Sequence, residues 1–394
     1  MNRLALLVLL LSACGTAGES PEVAVRDSAG VQIVEGRLRE RGPAWRVAAA
    51  PLVEIGSSPG ASSPLYQVVS AFRMSDGRIV VASARTGTLG IYAADGRPLR
   101  TVGRPGDGPG EFRQLFWAGR LRGDSIGAWD VVLGRFSVFD PSGQFVRSMA
   151  PGAGAGMFPQ LHAALADGSV VLAAGMDPSR PMAMAAGVRR DTAVFLVVGP
   201  DGAVRDTLAR VPGSEQYLMT PAGGGFVMHP LPFGRTTASA AQGSRFAVGT
   251  GDTYQLSVYE PGRGLRKVIR GGRERRRVTE GDVRRYRETM VTMGAEGARH
   301  QQRQFLAEVP FPERMPAFTA LLADGRGNWW IADPPAADGA GESIWHLVSD
   351  GGRLLGSVRV PPRLMVKEIG PDWILGVFLD ENDAERVRVH RLER

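Results

Sequence analysis

Short apolar runs rich in β-branched residues alternate with polar turns along most of the chain, and the turns recur at a fixed spacing. The clearest copy spans Val68 to Gly103. There Asp76-Gly77 leads into Ile79-Val80-Val81-Ala82, a polar link at Arg85 to Thr88 leads into Leu89-Gly90-Ile91-Tyr92, and Asp95-Gly96 leads into Leu99 to Val102. A second copy has Gly123-Asp124, Ser125 to Trp129, the link Val131 to Gly134, the run Arg135 to Phe139, and Pro141-Ser142-Gly143 before Phe145-Val146-Arg147. In both copies the two turns stand about 19 positions apart. Asp-Gly between two apolar runs marks a hairpin, because glycine accepts the positive φ that such turns demand. Two hairpins in series make a four-stranded antiparallel meander of roughly 40–45 residues, the size of a β-propeller blade. A lone meander exposes both faces and both edges, so it must stack against copies of itself.

Later copies are looser. Leu161 to Val171 surrounds Asp167-Gly168, and Ala193 to Leu208 surrounds Asp201-Gly202, with a Met- and Ala-rich insertion between them. A fourth copy is read over Met219 to Ile269, with the strand Tyr254 to Tyr259 and the turn Pro261-Gly262. A fifth has Ala317 to Ala332 around Asp324-Gly325 and Ser343 to Val360 around Asp350-Gly351-Gly352. The tail supplies Leu364 to Ile369, Trp373 to Phe378 and Val387 to Leu392, one strand short of a blade. Val23 to Val34 and Trp45 to Ile55 provide strands ahead of the first copy, so the two termini are expected to complete one shared blade. The expectation is an all-β, six-bladed propeller, five or seven blades staying open, forming one domain over residues 23–394.

One stretch breaks the pattern. Arg270 to Gln304 is rich in Arg and Glu and reads as helix, with Thr279 as N-cap and Glu280 and Asp282 in the first turn, where negative charge suits the helix dipole. Val283, Tyr286, Met290 and Met293 fall near three-and-four spacing. A further turn or two is expected between Ala295 and Leu306, before Pro310, giving a helical insertion around 279–306. Its basic side suits either an anionic surface such as lipid headgroups or plain solvent; the interleaved acids favour solvent.

The run Val102-Gly103-Arg104-Pro105-Gly106-Asp107-Gly108-Pro109-Gly110-Glu111-Phe112 resembles the linker of NHL-repeat propellers, and Ala128-Trp129-Asp130 with Arg135 to Asp140 resembles their mid-repeat. The resemblance implies that the Gly-rich stretch, ending in Phe, joins the outer strand of one blade to the inner strand of the next. Asp27 to Val31 and Pro316 to Asp333 are similar to segments of six-bladed propeller lipoproteins of environmental bacteria.

The first residues carry a different signal. Met1-Asn2-Arg3 is a short basic start, Leu4 to Leu11 is an unbroken apolar run, and Ser12-Ala13 leads into Cys14. The run is too short to span a bilayer, which takes about 20 apolar residues, and reads as a signal peptide over 1–13. Leu11-Ser12-Ala13-Cys14 resembles the lipobox of bacterial lipoproteins. That resemblance implies acylation of Cys14, cleavage before it, and a short tether over 14–22 on a lipid bilayer. Cys14 is the only cysteine, so no disulfide competes for its thiol. Gly15 in place of Asp implies, by the same resemblance, the outer membrane, facing periplasm or surface. The net charge of +7 is carried almost wholly by Arg; with export expected, nucleic acid is not an expected partner.

Chemistry is sparse. No G-x-S-x-G, HExxH, P-loop or CxxC motif occurs, and His162, His229, His300, His346 and His390 lie without ligand spacing. Propeller enzymes of lactonase or lyase type hold a divalent ion such as Ca²⁺ at the axis, and Ca²⁺ takes about 6–8 oxygen ligands. Asp130, His229, Asp333, Glu368 and Asp372 are the candidates, but they do not recur at one position of the repeat. No cofactor and no catalytic residue is therefore assigned, and an enzyme is the secondary reading. The primary one is a binding or scaffold module for a protein, peptide or glycan ligand. The links 85–88, 131–135, 230–237 and 333–341 are expected on a common face, with Arg85, Asp130, Arg135 and Asp333, near Trp129, Trp330 or Trp345, as candidate ligand contacts.

Overall fold

The Asp-Gly pairs at 76–77, 95–96, 167–168 and 201–202 close their hairpins by the same device. At the first, Gly77 takes a φ of 91° while Asp76 Oδ1 accepts the Arg78 N–H at 3.0 Å. The computed structural model describes residues 23–36, 44–56, 65–176, 185–220, 224–293, 299–336 and 341–393. The expected signal peptide over 1–13, Cys14 and the expected tether over 14–22 lie outside them.

The described chain opens with β1 (Val23–Ser28), β2 (Val31–Gly36) and the long β3 (Ala44–Ile55). Blade one is β4 (Val68–Arg73), β5 (Ile79–Ser83), β6 (Thr88–Tyr92) and β7 (Pro98–Val102), running from the inner strand outward. Blade two is β8 (Leu115–Arg120), β9 (Ile126–Asp130), β10 (Arg135–Phe139) and β11 (Phe145–Met149). Blade three begins with β12 (Gln160–Ala164) and β13 (Val170–Ala173), sets β14 (Gly187–Arg189) aside, and ends with β15 (Thr192–Val198) and β16 (Val204–Pro212). After β17 (Gln216–Met219) and β18 (Val227–Pro230), blade four is β19 (Ala238–Gln242), β20 (Arg245–Gly249), β21 (Gln255–Glu260) and β22 (Gly264–Gly271). Helices α1 (Glu280–Met293) and α2 (Arg299–Glu308) precede blade five, β23 (Ala320–Ala323), β24 (Trp329–Ala332), β25 (Ser343–Val348) and β26 (Leu354–Val360). Blade six is β27 (Leu364–Ile369), β28 (Trp373–Leu379) and β29 (Glu385–Glu393), with β3 as its outer strand.

The ring closes through β3, which pairs antiparallel with β29 from Val387↔Ile55 to Glu393↔Arg46. The β1–β2 hairpin does not join that blade. It lies on the outer edge of blade four, where β2 runs parallel to β22 from Gln32↔Lys267 to Gly36↔Gly271. The expectation that both N-terminal segments complete the shared blade is corrected to β3 alone.

Apolar side chains fill the spaces between blades. Phe72 and Leu89 meet Leu115 and Phe139 between blades one and two. Trp129 and Phe136 meet Leu161 and Leu172 between two and three, and Phe195 meets Phe246 between three and four. Leu256 and Ile269 meet Trp329 and Ile331 between four and five. Trp330 and Trp345 meet Ile374 and Leu392 between five and six, and Leu375 and Val377 return to Ile79 and Val81 of blade one. At roughly 25 cal/mol per Å² of apolar area, these interfaces, rather than the exposed outer strands, carry the stability.

In each blade the turn from first to second strand lies at one end of the inner strand, called lower here. The link from second to third strand, and the connection into the inner strand, lie at the upper end. The 103–114 connection joins β7 to β8 at that end, with Phe112 buried and bridged to Pro105 by backbone.

A cap stands on the upper end. The strands β14, β17 and β18 form a separate three-stranded sheet, and Met219, Leu231, Phe305, Leu306 and Val309 make a core between it and the helices, with Tyr286 and Met290 packed against them. Met219 therefore belongs to the cap, and blade four begins at Ala238. Thr279 caps α1 as the sequence suggests: its Oγ1 accepts the Asp282 N–H at 3.2 Å, while Asp282 Oδ2 accepts the Thr279 N–H at 2.9 Å. Arg276 and Arg285 pair with the buried Asp282. Burial pushes that carboxyl up, but these cations and the Thr279 hydrogen bonds outweigh it and hold it well below the usual carboxylate range.

Candidate functional site

The links at 85–88, 131–135, 230–237 and 333–336 all leave the blades at the upper end, so they share one face. The candidate residues on them do different things. Arg85 is exposed in the link of blade one. Asp130 is completely buried. Its Oδ2 accepts the N–H groups of Arg113 (2.6 Å) and Gln114 (2.8 Å), and its Oδ1 those of Val132 (3.0 Å) and Leu133 (2.8 Å). With four backbone donors on two oxygens, Asp130 orders the link and has no lone pair left for a ligand. Arg135 is engaged with the same region: its Nη1 donates to the carbonyl of Asp107 (2.7 Å) and its Nη2 to those of Gly108 (2.8 Å) and Glu111 (2.7 Å), clamping the Gly-rich connection. In this fold both side chains hold backbone groups of the scaffold. Trp129, Trp330 and Trp345 are buried between blades.

Asp333 differs. It opens the upper link of blade five, and both its oxygens lie 2.9 Å from Arg273 Nη1. His346 Nε2 is 3.0 Å from Oδ2, and the Tyr254 hydroxyl is 3.5 Å from Oδ1. Burial pushes Asp333 up, yet His346 and Arg273 bring it below its ordinary value. Burial, with the Asp333 charge added, pushes Tyr254 up to about 12, so its hydroxyl stays protonated. Arg273, Asp333 and His346 face a cleft of about 680 Å³ that reaches β3 at Trp45 and Arg46.

The next residues of that link, Pro334, Pro335 and Ala336, form one wall of a second cleft, between cap and upper face. It holds about 340 Å³, within the range of small-ligand sites, and its other walls include Leu231, Phe233, Tyr286, Met290 and Met315. Tyr286 packs edge-on to Phe233 with ring centroids 5.4 Å apart. The polar groups are few, Thr236, Thr289 and Thr319.

A charge network holds the cap base. Asp252 accepts from Arg190 (2.8 and 2.9 Å), Arg235 (2.8 Å) and the Thr250 hydroxyl (2.7 Å), and Arg235 also pairs with Glu215. Burial alone raises Asp252, but these donors bring it down to about 2. Arg275 and Arg314 donate to each other's backbone carbonyls, and Arg275 also to that of Met315. Sequence reading missed this set because its members come from four separate upper connections. The Arg-rich stretch before α1 looked like a solvated helix face; Arg273, Arg275 and Arg276 instead turn onto protein groups.

The candidate metal donors do not converge. Asp130 is saturated, Asp333 is paired, and His229 stacks on Phe305 of the cap at 4.5 Å. Glu368 is the last residue but one of β27 and Asp372 follows the strand, both at the lower end. Among the described residues no group of three or more His, Cys, Asp or Glu side chains is placed to hold a metal ion. These residues do not fit an axial Ca²⁺.

Six four-stranded blades around an axis define the class: a six-bladed β-propeller, with a cap on one end. No family model and no curated protein sequence matches the chain. A member of the DUF4221 family from Bacteroides vulgatus has a similar structure, at 12% identity with a TM-score of 0.53, covering 90% of this chain and 99% of that one. A Bacteroides fragilis protein, named as a candidate exported protein, matches at 10% identity and a TM-score of 0.49, covering 89% and 99%. Virginiamycin B lyase from Staphylococcus aureus matches at 8% and 0.39, covering 91% and 96%. The likeness is one of fold. Among the described residues no helix is long and apolar enough to cross a membrane.

Proposed function

We propose that this chain is an exported binding module, anchored to a bacterial envelope membrane through an acylated Cys14, that takes its ligand in the cleft between cap and upper face. The observation that carries the reading is that cleft: an opening of about 340 Å³ walled by Phe233, Tyr286, Met290 and Met315, beside a rigid ring. Aromatic and methionine walls suit an apolar group, and Met adapts to varied shapes. A peptide or protein segment presenting an apolar side chain fits this lining better than a glycan. The lipobox-like Leu11 to Cys14 supports the anchor, and several acyl chains at about 0.8 kcal/mol per buried CH₂ make such attachment stable.

Both halves are testable. In a native-like bacterial host, Cys14→Ser should move the protein from the membrane to the soluble fraction; a serine variant that stays in the membrane sinks the anchor. The folded mature chain should bind anilinonaphthalenesulfonate with a rise in dye fluorescence, and Met290→Arg should remove most of that rise without altering the far-UV spectrum. An unchanged signal in the variant would place the apolar site elsewhere.

A further inference from the structure

The lower end of the ring carries a third cavity, of about 490 Å³, lined by the ends of the inner strands of blades two to six. Arg120 and Arg122 stand at its rim. Both are exposed, and among the described residues neither makes an ion pair or a side-chain hydrogen bond. The nearby acid Asp324 is closed off, its oxygens taken by the backbone N–H groups of Arg326 and Asn328, the Asn328 amide and Trp330 Nε1. Glu368 is the exception. Its Oε2 accepts the Arg73 N–H at 2.6 Å, no described residue donates to its other oxygen, and the residue is part of the cavity wall.

We propose that this lower mouth binds a small organic dianion, with Arg120 and Arg122 each facing one anionic group and the Glu368 carboxylic acid donating a hydrogen bond to a ligand oxygen. Planar guanidinium forks suit carboxylate and phosphate oxygens. Deep placement pushes Glu368 up to about 7, and the Arg73 N–H and the Arg120 and Arg73 charges only partly offset that. The carboxyl is thus half protonated near neutrality. In its ionised form it would repel the ligand; in its neutral form it is a donor. The charged groups around it are Arg73 from β4, Arg120 and Arg122 from blade two, and the closed Asp324 from blade five; Gln242 of blade four is neutral.

The probe is ethanedisulfonate, whose charge does not change over this range. Titration calorimetry on the folded mature chain should show binding that weakens about tenfold between one pH unit below and one above the Glu368 value. Arg120→Gln with Arg122→Gln should abolish binding, and melting of that variant should match the parent because neither arginine holds the fold. Glu368→Gln, which keeps a donor without a charge, should bind with the low-pH affinity at both pH values. No binding by the parent chain, or equal binding by the double arginine variant, overturns the site. Binding that is equally tight at both pH values in the parent overturns the role of Glu368. If Glu368→Gln fails to fold, the parent's pH dependence and the arginine pair still decide.

Discussion

His162 shows how far a single side chain can be read. In the sequence it is one of five scattered histidines. In the fold it sits on inner strand β12, with Nδ1 2.8 Å from Ser239 Oγ on the inner strand of blade four, and its ring edge-on to Phe195. Burial lowers it from 6.5 to about 4. The unfolded chain therefore takes up this proton first: the contribution is intact above about 6.5 and is lost as pH falls toward about 4, up to roughly 3 kcal/mol. Glu368 runs the other way. Its value is raised, so its contribution is present below its ordinary 4.5 and lost as pH rises through about 7, which blurs the profile of the parent. Comparison with His162→Gln separates them. The stability gap between parent and variant, from urea unfolding, should be widest near neutrality and shrink steadily down to about pH 4. A gap independent of pH would mean that His162 is not held neutral. Asp130 carries the companion lesson. A carboxylate at a strand end was legible, but its role was not, because two of its four donors come from Arg113 and Gln114, on the incoming connection.

At the scale of elements, local signals were read well where they were local. The Asp-Gly turns, the Thr279 cap and the helical insertion follow from residues within one turn of each other. The α2 helix, expected to run to Leu306, ends at Glu308, two residues before Pro310. Parts of the cap were misassigned because β14, β17 and β18 are four residues long or shorter and look like ragged ends of blades. What makes them an element is α2, whose Phe305 packs on Tyr217 and His229. Phe305→Ala should cost about 3–4 kcal/mol locally, as other large buried truncations do. Hydrogen exchange should then speed up in β14, β17, β18 and the two helices while the inner strands keep their protection. Uniform loss of protection through the blades would show that the cap is not a separate cooperative unit.

For the whole molecule, the decisive element is β3. A ring of blades has one seam, and here it is bridged by β3 from the N-terminal side against β29 from the C-terminal side. Removing residues through 43 strips β1 and β2 from the edge of blade four but leaves the seam; removing residues through 56 takes β3 and opens it. Calorimetry should show the first truncation melting cooperatively a few degrees lower, and the second without a cooperative transition. Two similar melting curves would mean that the seam does not limit stability. The two ends of this ring also differ: the upper end is covered by an apolar-walled cap, whereas the lower end has at its mouth Arg120 and Arg122, which make no ion pair among the described residues.

What the sequence by itself determined is whatever rests on neighbours along the chain: strand alternation, glycine turns, the helix cap, the lipobox-like start and the need for repeats to stack. The tertiary structure alone decided which strand closes the ring, which edge takes the first hairpin, and which polar residues are free. Those outcomes depend on groups that meet across hundreds of positions, such as Arg388 with Glu54 or the Arg73 N–H with Glu368. Hydrogen-bond capacity is consumed by proximity in space. A candidate ligand residue such as Asp130 is therefore distinguished from a scaffold one only after the fold has assigned its donors.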